Sequence, residues 1–457
     1  MPVSKKNIYR PLAIVPVIMI VGLLAWLLLV IFEGEKPLVA LEPMPEYLAK
    51  EQTFTIKLRD SKRGLKRLRV SYNQGGRDVI LLEKEFPFDG LLNRQGVHQF
   101  EQTVTMDPVS LRLAQGRVDL NVQAWDYSRR GGGDGNMSLV YHKMTVDTLP
   151  PSIRTVTRMH NINIGGTGLV VYRTSSDTVK SGVYVEDLFF PGFPLDNENR
   201  KGLYVTYIAV PYHSSLDPKI YLWAQDGAEN TSTSTFYFHV RRRLFQNEKM
   251  TITDRFLERI LPYFSFYETD PELTNIERYV KINNDLRVED DERFALISKE
   301  TSPQRLWEGP WIRLKNAATM AKFGNQRSYY YKGEKIDEQV HLGIDLASLP
   351  NSPVQAANNG RVLFAERNGI YGLTVIIDHG QGLSSLYGHL SNISVTPDQH
   401  VKKGEIIGST GQTGLAGGDH LHFAVMVNGV FVDPIEWWDS HWIKDNITKK
   451  LELLDQQ

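Results

Sequence analysis

Residues Leu12–Phe32 form an unbroken uncharged run of 21 residues. As a helix this run is ~31 Å long, which matches the hydrocarbon core of a bilayer. Core helices of soluble domains rarely stay apolar all the way round for such a length, so residues 12–32 are read as a transmembrane helix. Lys5, Lys6 and Arg10 precede the run and only Lys36 follows closely, which puts the N-terminus in the cytoplasm and the rest of the chain outside. A cleaved signal peptide is the competing reading. Against it, the run exceeds a typical h-region, and Glu33-Gly34-Glu35-Lys36-Pro37 offers no small-x-small cleavage site. The expectation is a single-pass anchor, residues 1–36, in the inner (cytoplasmic) membrane, with a C-terminal region on the periplasmic or cell-wall side.

The 457 residues have room for several domains, each expected to bury a core of its own. With 52 basic and 53 acidic residues, the chain has no charge excess to grip a polyanion, so no nucleic-acid partner is expected. It contains no cysteine, so any metal must rest on His, Asp or Glu.

The fold class expected is mainly β and multidomain. In residues 37–149, Phe54, Ile56 and Leu58 alternate with polar residues, as do Val118, Leu120, Val122 and Ala124; this is the pattern of half-buried antiparallel strands. Val122-Gln123-Ala124-Trp125-Asp126 is echoed by Leu222-Trp223-Ala224-Gln225-Asp226, which suggests two tandem β-sandwiches, immunoglobulin-like, over 37–149 and 150–243. Leu149-Pro150-Pro151 is a stiff boundary between them. Asp270 as cap, Pro271 at the first helical position and Leu273, Ile276 and Val280 at helical spacing predict a helical connector over 244–306. A β domain rich in Gly and Val/Ile follows over 307–440, and a short helix closes the chain over 441–457.

Four histidines and one aspartate in that last β domain carry the chemistry. They fall in His341-Leu342-Gly343-Ile344-Asp345, Tyr387-Gly388-His389-Leu390 and His420-Leu421-His422-Phe423. The residues after His422 read as a strand, where positions i and i+2 share a face ~7 Å apart, so His420 and His422 point into one site. His341 and Asp345 would lie ~13 Å apart on an ideal strand, so a bend is expected, and Gly343 is where it costs least. Two imidazoles and one carboxylate are the three-ligand set of a catalytic zinc, which keeps one coordination position open and lowers the pKa of water.

Residues from about Phe323 to Trp437 resemble the lysostaphin-type (LytM-like) zinc endopeptidases that cleave peptidoglycan cross-links. The three motifs arrive in family order, joined by Asp378-His379-Gly380, Val401-Lys402-Lys403-Gly404-Glu405 and Ser409-Thr410-Gly411. The resemblance implies a C-terminal antiparallel β peptidase domain with Zn2+ held by His341, Asp345 and His422. It implies His389 and His420 as the catalytic pair, here assigned as oxyanion donor and water base respectively. Members also place a tyrosine near the transition-state oxygen; Tyr329, Tyr330 and Tyr331 are the candidates, separated from His341 by a Lys/Glu-rich insert.

The function expected is hydrolysis of peptidoglycan stem or cross-bridge peptides. A non-catalytic scaffold that activates other wall hydrolases is the alternative; such relatives usually lack one of the five residues, and all five are kept here. The insert or the connector is expected to cover the cleft until an unidentified regulatory partner moves it. His379 is read as structural, and Trp437-Trp438 as packing. The glycines of 411–418 are read as a tight loop admitting substrate, because no phosphate-loop context surrounds them.

Overall fold

The computed structural model describes residues 9–195, 201–267 and 270–452. It forms two compact units. One runs through Pro150 and includes Gly227–Asn230; the other holds Pro151–Asp226 and the chain from Thr231 onward.

The first unit opens with the helix Tyr9–Ile31, whose segment Ile14–Ile31 is long and apolar enough to cross a membrane. Its last carbonyls are met by the sandwich that follows: Arg129 N–H donates to Ile31 O (2.9 Å) and Arg130 Nε to Phe32 O (2.7 Å). That sandwich pairs a three-stranded sheet (Leu38–Glu42, Gln52–Arg59, Gln99–Met106) with a five-stranded one, in the order Tyr47–Leu48, Met137–Val146, Gly116–Asp126, Leu65–Gln74, Arg77–Glu85. Phe54, Ile56 and Leu58 from one sheet and Val118, Leu120 and Val122 from the other fill a common core.

The second unit departs from the expected division. Residues 151–234 do form two four-stranded sheets. One runs Phe193–Pro194, Leu203–Ala209, Thr167–Thr174, Ile153–Thr155; the other runs Leu188–Pro191, Thr178–Val185, Ile220–Asp226, Thr231–Ser234. They do not stand apart from the peptidase region, however. One hydrophobic cluster extends from Ile153 to Ile447, so the separate domains expected over 150–243, 244–306, 307–440 and 441–457 are a single unit. The cause lies in large side chains that neither part could bury alone. Tyr207 packs against Trp437 (ring centroids 6.1 Å), which in turn meets Trp307 (5.3 Å) and Trp311 (5.1 Å). Polar ties follow the same seam: Glu436 accepts from Asn163 Nδ2 (2.9 Å) and Thr167 N–H (2.8 Å), and Lys450 Nζ donates to Leu169 O (3.0 Å).

The connector is not wholly helical either. It begins with the strand Asn247–Ile252, which runs parallel to Gln326–Tyr331; the latter pairs in turn with Glu334–Val340. The Lys/Glu-rich insert is therefore an ordinary hairpin strand. Helix Asp254–Ile260 follows, and a longer helical stretch runs from Asn275 to Ile297. It starts four residues beyond Pro271, because Thr274 and Glu277 form a reciprocal capping box that satisfies two free N–H groups.

The sheet beneath the histidines has the order Ala318–Ala321, Ile344–Ala347, Leu421–Val427, Leu383–Leu390, Gly372–Gly380, Gly360–Asn368, His400–Val401, with Val430–Val432 also paired to Leu421–Val427. Every pairing is antiparallel, and the central strands Leu383–Leu390 and Leu421–Val427 are buried throughout.

Candidate active site

The central strands deliver the site by register. On Leu421–Val427, His422 lies opposite Asp345 on one side and opposite Gly388, the neighbour of His389, on the other. The chain bends at 341–343, and His341 swings back to meet Asp345. Three buried ligating atoms then converge: His341 Nε2 to Asp345 Oδ1 is 2.9 Å, His422 Nδ1 to Asp345 Oδ1 is 2.9 Å, and His341 Nε2 to His422 Nδ1 is 3.0 Å. Gly343 matters for space more than for bending, since a Cβ there would stand 2.5 Å from His422 Nε2.

The surroundings prepare these atoms for a cation. His341 donates its Nδ1–H to Lys322 O (3.0 Å), which leaves the Nε2 lone pair facing the other two ligands. Arg327 Nη2 donates to Asp345 Oδ2 (2.9 Å), leaving Oδ1 for the centre. Desolvation works against a charged Asp345, but His341 and hydrogen bonds from the other imidazoles outweigh it and hold the carboxyl well below its ordinary range. Burial pulls His422 down to about 4, so its imidazole stays neutral, as a ligand must. Three lone pairs aimed at one point, at separations suited to bonds of ~2.0–2.2 Å, fit a zinc-type ion.

The other two histidines flank this point. His389 and His420 lie 4.8 Å apart between ring centroids, and His420 Nε2 is 3.6 Å from Asp345 Oδ1. Each is oriented by the glycine-rich loop: His389 Nδ1–H donates to Thr413 O (2.8 Å) and His420 Nδ1–H to Gly418 O (2.8 Å). Both rings therefore keep Nε2 for the cavity. Desolvation and the neighbouring imidazoles hold His389 well below the ordinary histidine value. For His420 the desolvation is overcome by the Asp345 carboxylate, and its value is raised. His389 also has a left-handed backbone (φ 61°), a conformation unfavourable for a side-chain-bearing residue; such strain concentrates at functional sites. The loop 411–418 thus orients both rings.

All five residues line one cavity of about 690 Å³. Of the three candidate tyrosines, only Tyr329 also lines it. A bulge between Tyr329 and Tyr330 breaks the alternation, and Tyr331 turns away to donate to Asp254 Oδ1 (2.7 Å). Two of the lining residues that escaped the sequence reading lie against the His341, Asp345 and His422 group. Arg327 shares the strand face of Tyr329, which the i, i+2 spacing could have flagged. Tyr371, whose ring lies 5.3 Å from His422, had no such signal. The opposite wall comes from the connector, through Glu248–Ile252, Phe256, Tyr279 and Arg287, and Arg259 Nη2 donates to Gly417 O (2.9 Å) at the rim. The Lys/Glu-rich insert contributes nothing to the lining.

His379 lies outside this site. It is buried between Asn359 O (2.7 Å) and Ser385 Oγ (2.7 Å), and desolvation lowers it to about 4. Trp437 is fully buried and Trp438 stacks on Phe423 (5.4 Å), so both are packing residues.

Residues 339–434, which include all five site residues, match the profile of Peptidase family M23. This stretch is an M23 peptidase domain. Over 97 residues the chain is 41% identical to the DD-carboxypeptidase/endopeptidase Mpg of Neisseria meningitidis, covering 21% of this chain and 22% of that protein. It is 37% identical over 89 residues to the peptidoglycan DD-endopeptidase ShyA of Vibrio cholerae, covering 20% and 21%. The chain thus spans about a fifth of the length of the curated relatives it matches. Among solved structures, the catalytic domain of lysostaphin from Staphylococcus simulans is 28% identical, with 29% of this chain and 98% of that chain covered and a TM-score of 0.25.

Proposed function

We propose that this protein is a membrane-anchored, zinc-dependent endopeptidase that hydrolyses peptide bonds in peptidoglycan stem or cross-bridge peptides. The observation that carries this reading is the convergence of His341 Nε2, Asp345 Oδ1 and His422 Nδ1 within 3.0 Å, with two further imidazoles on the same open cavity. Zinc bound by those three atoms would supply Lewis acidity toward a carbonyl and toward water. His420 takes a proton from the attacking water at Nε2, the atom left free by its bond to Gly418. His389, opposite it, donates from Nε2 to the developing oxyanion, with Tyr329 as the tyrosine best placed to assist. Arg327 holds Asp345 in its ligating rotamer.

The helix Tyr9–Ile31 is read as a retained anchor in the inner membrane, with the M23 domain on the wall side. The first sandwich divides its strands between two sheets as immunoglobulin-like modules do and is read as a spacer. Purified sacculi incubated with the metal-loaded protein should release peptide-cleaved fragments, and a chelator or His422→Ala should stop the release. Intact cross-links in every arm would favour the non-catalytic scaffold.

A further inference from the structure

A second groove lies on the second sandwich and shares no lining residue with the histidine cavity. In the sheet of Thr167–Thr174 and Ile153–Thr155, Arg173 stands directly opposite Arg154. Opposite residues of an antiparallel pair share a face, and like charges placed there destabilise the sheet. Arg158 joins them from the turn beyond Thr155, and the three guanidinium groups line a groove of about 550 Å³ with Thr155 and Tyr237. Among the described residues, no acidic side chain lines it. Arg173 donates to one carbonyl, Lys201 O (3.1 Å), while Arg154, Arg158 and the Tyr237 ring are exposed.

The groove has a fixed floor. Buried His160 donates its Nδ1–H to Tyr237 O (2.9 Å) and accepts at Nε2 from Thr157 Oγ1 (2.8 Å), whose oxygen accepts in turn from Val171 N–H (3.1 Å). This chain ties the turn carrying Arg158 to the segment carrying Tyr237 and to the strand before Arg173. A cluster of cations with no counter-charge among the described residues, carried on backbone that these bonds fix and at a cost to the sheet, is what an oxyanion site requires.

We propose that this groove binds carboxylate groups of peptidoglycan stem peptides, holding the wall at a point separate from the bond being cut. The proposal rests on the reading above that the wall is the substrate. Guanidinium forks match planar carboxylates in bidentate fashion, the volume suits a short peptide segment, and Tyr237 adds an apolar face beside the charges.

The test uses the full-length protein in detergent, carrying His422→Ala so that ligand is not cut. Fluorescence anisotropy would compare labelled soluble muropeptides bearing free carboxylates with the same muropeptides amidated. The free form should bind and the amidated form should bind roughly tenfold more weakly or worse; combining Arg154→Ala with Arg173→Ala should weaken the free form by at least roughly tenfold. Thermal stability of that double variant should equal or exceed its parent's, because a like-charge pair is removed; a merely structural role predicts a fall. Equal affinity for free and amidated muropeptides, or an unchanged double variant, overturns the proposal. So does binding of teichoic acid or phosphatidylglycerol vesicles with no binding of muropeptides. The anisotropy result is independent of cleavage, so a protein that binds muropeptides through these arginines but leaves sacculi intact would sink the enzyme reading alone.

Discussion

Strand Gly116–Asp126 of the first sandwich buries every second residue from Val118 to Asp126, whereas strand Thr167–Thr174 of the second buries all but Arg173. Both lie in segments read from sequence as tandem β-sandwiches, on the echo of residues 122–126 in residues 222–226. What separates them is coverage. The first sheet packs on one face only within its unit, while Thr167–Thr174 is contacted on its other side by the closing helical turns Lys444–Glu452. Leu203–Ala209, its neighbour, meets Leu421–Val427 and Val430–Val432 of the M23 domain in the same way. A solid apolar run such as Gly168-Leu169-Val170-Val171-Tyr172 marks a strand covered on both faces, and alternation marks one with a wet face.

Truncation should break this comparison most severely. A chain beginning at Pro151 should keep one cooperative thermal transition, while a chain beginning at Trp307 should lose it, because Trp307, Trp311 and Trp437 forfeit the Tyr207 side of their cluster. Cooperative unfolding of the shorter chain would restore the picture of separate modules. Next in size, Trp437→Ala should cost ~3–5 kcal/mol in the second unit and lower hydrolysis with it. Leu120→Ala should cost ~2–5 kcal/mol in the first unit and leave hydrolysis unchanged. Calorimetry that moves one transition in both variants would merge the units.

The seam also carries a pH signature. Burial pushes the Glu436 carboxyl up to about 8 from an ordinary 4.5, despite hydrogen bonds from Asn163 and Thr167 that pull it down. The folded state therefore favours the protonated form. The stability it contributes is complete below about 4.5 and is lost as pH rises through about 8. The second unit should thus weaken between pH 5 and 8 by an amount on the order of a few kcal/mol, and Glu436→Gln should flatten the slope. A slope unchanged in that variant would remove Glu436 from the account. Smallest in stability, Arg259→Ala frees the rim from Gly417 O and should alter the melting temperature little. If the connector wall restrains the cleft, hydrolysis should rise a few-fold, and an unchanged rate would argue against a cover.

The site was far more legible than the architecture. His341, Asp345, His389, His420 and His422 sit in short motifs that resemble those of a known family, so they could be named as candidates without knowing how the sheet is ordered. Arg327 was half visible through its strand spacing to Tyr329. Tyr371 was not, because it comes beside His422 only through Leu383–Leu390, which pairs with Gly372–Gly380 on one side and with the distant strand Leu421–Val427 on the other. The merger of the second sandwich with the M23 domain depends on long-range packing of Tyr207 and three tryptophans. No local pattern encodes that, although the unbroken apolar strands hinted at a second covered face.

The central claim is that three of the five residues hold the ion and two handle protons beside it. Metal content per chain, measured alongside sacculus hydrolysis in five single alanine variants, tests it most directly. One zinc per chain should be lost in His341→Ala, Asp345→Ala and His422→Ala and kept in His389→Ala and His420→Ala, with hydrolysis abolished or strongly reduced in all five. Retention of zinc in His422→Ala, or its loss in His389→Ala, would contradict the division of labour read from this site.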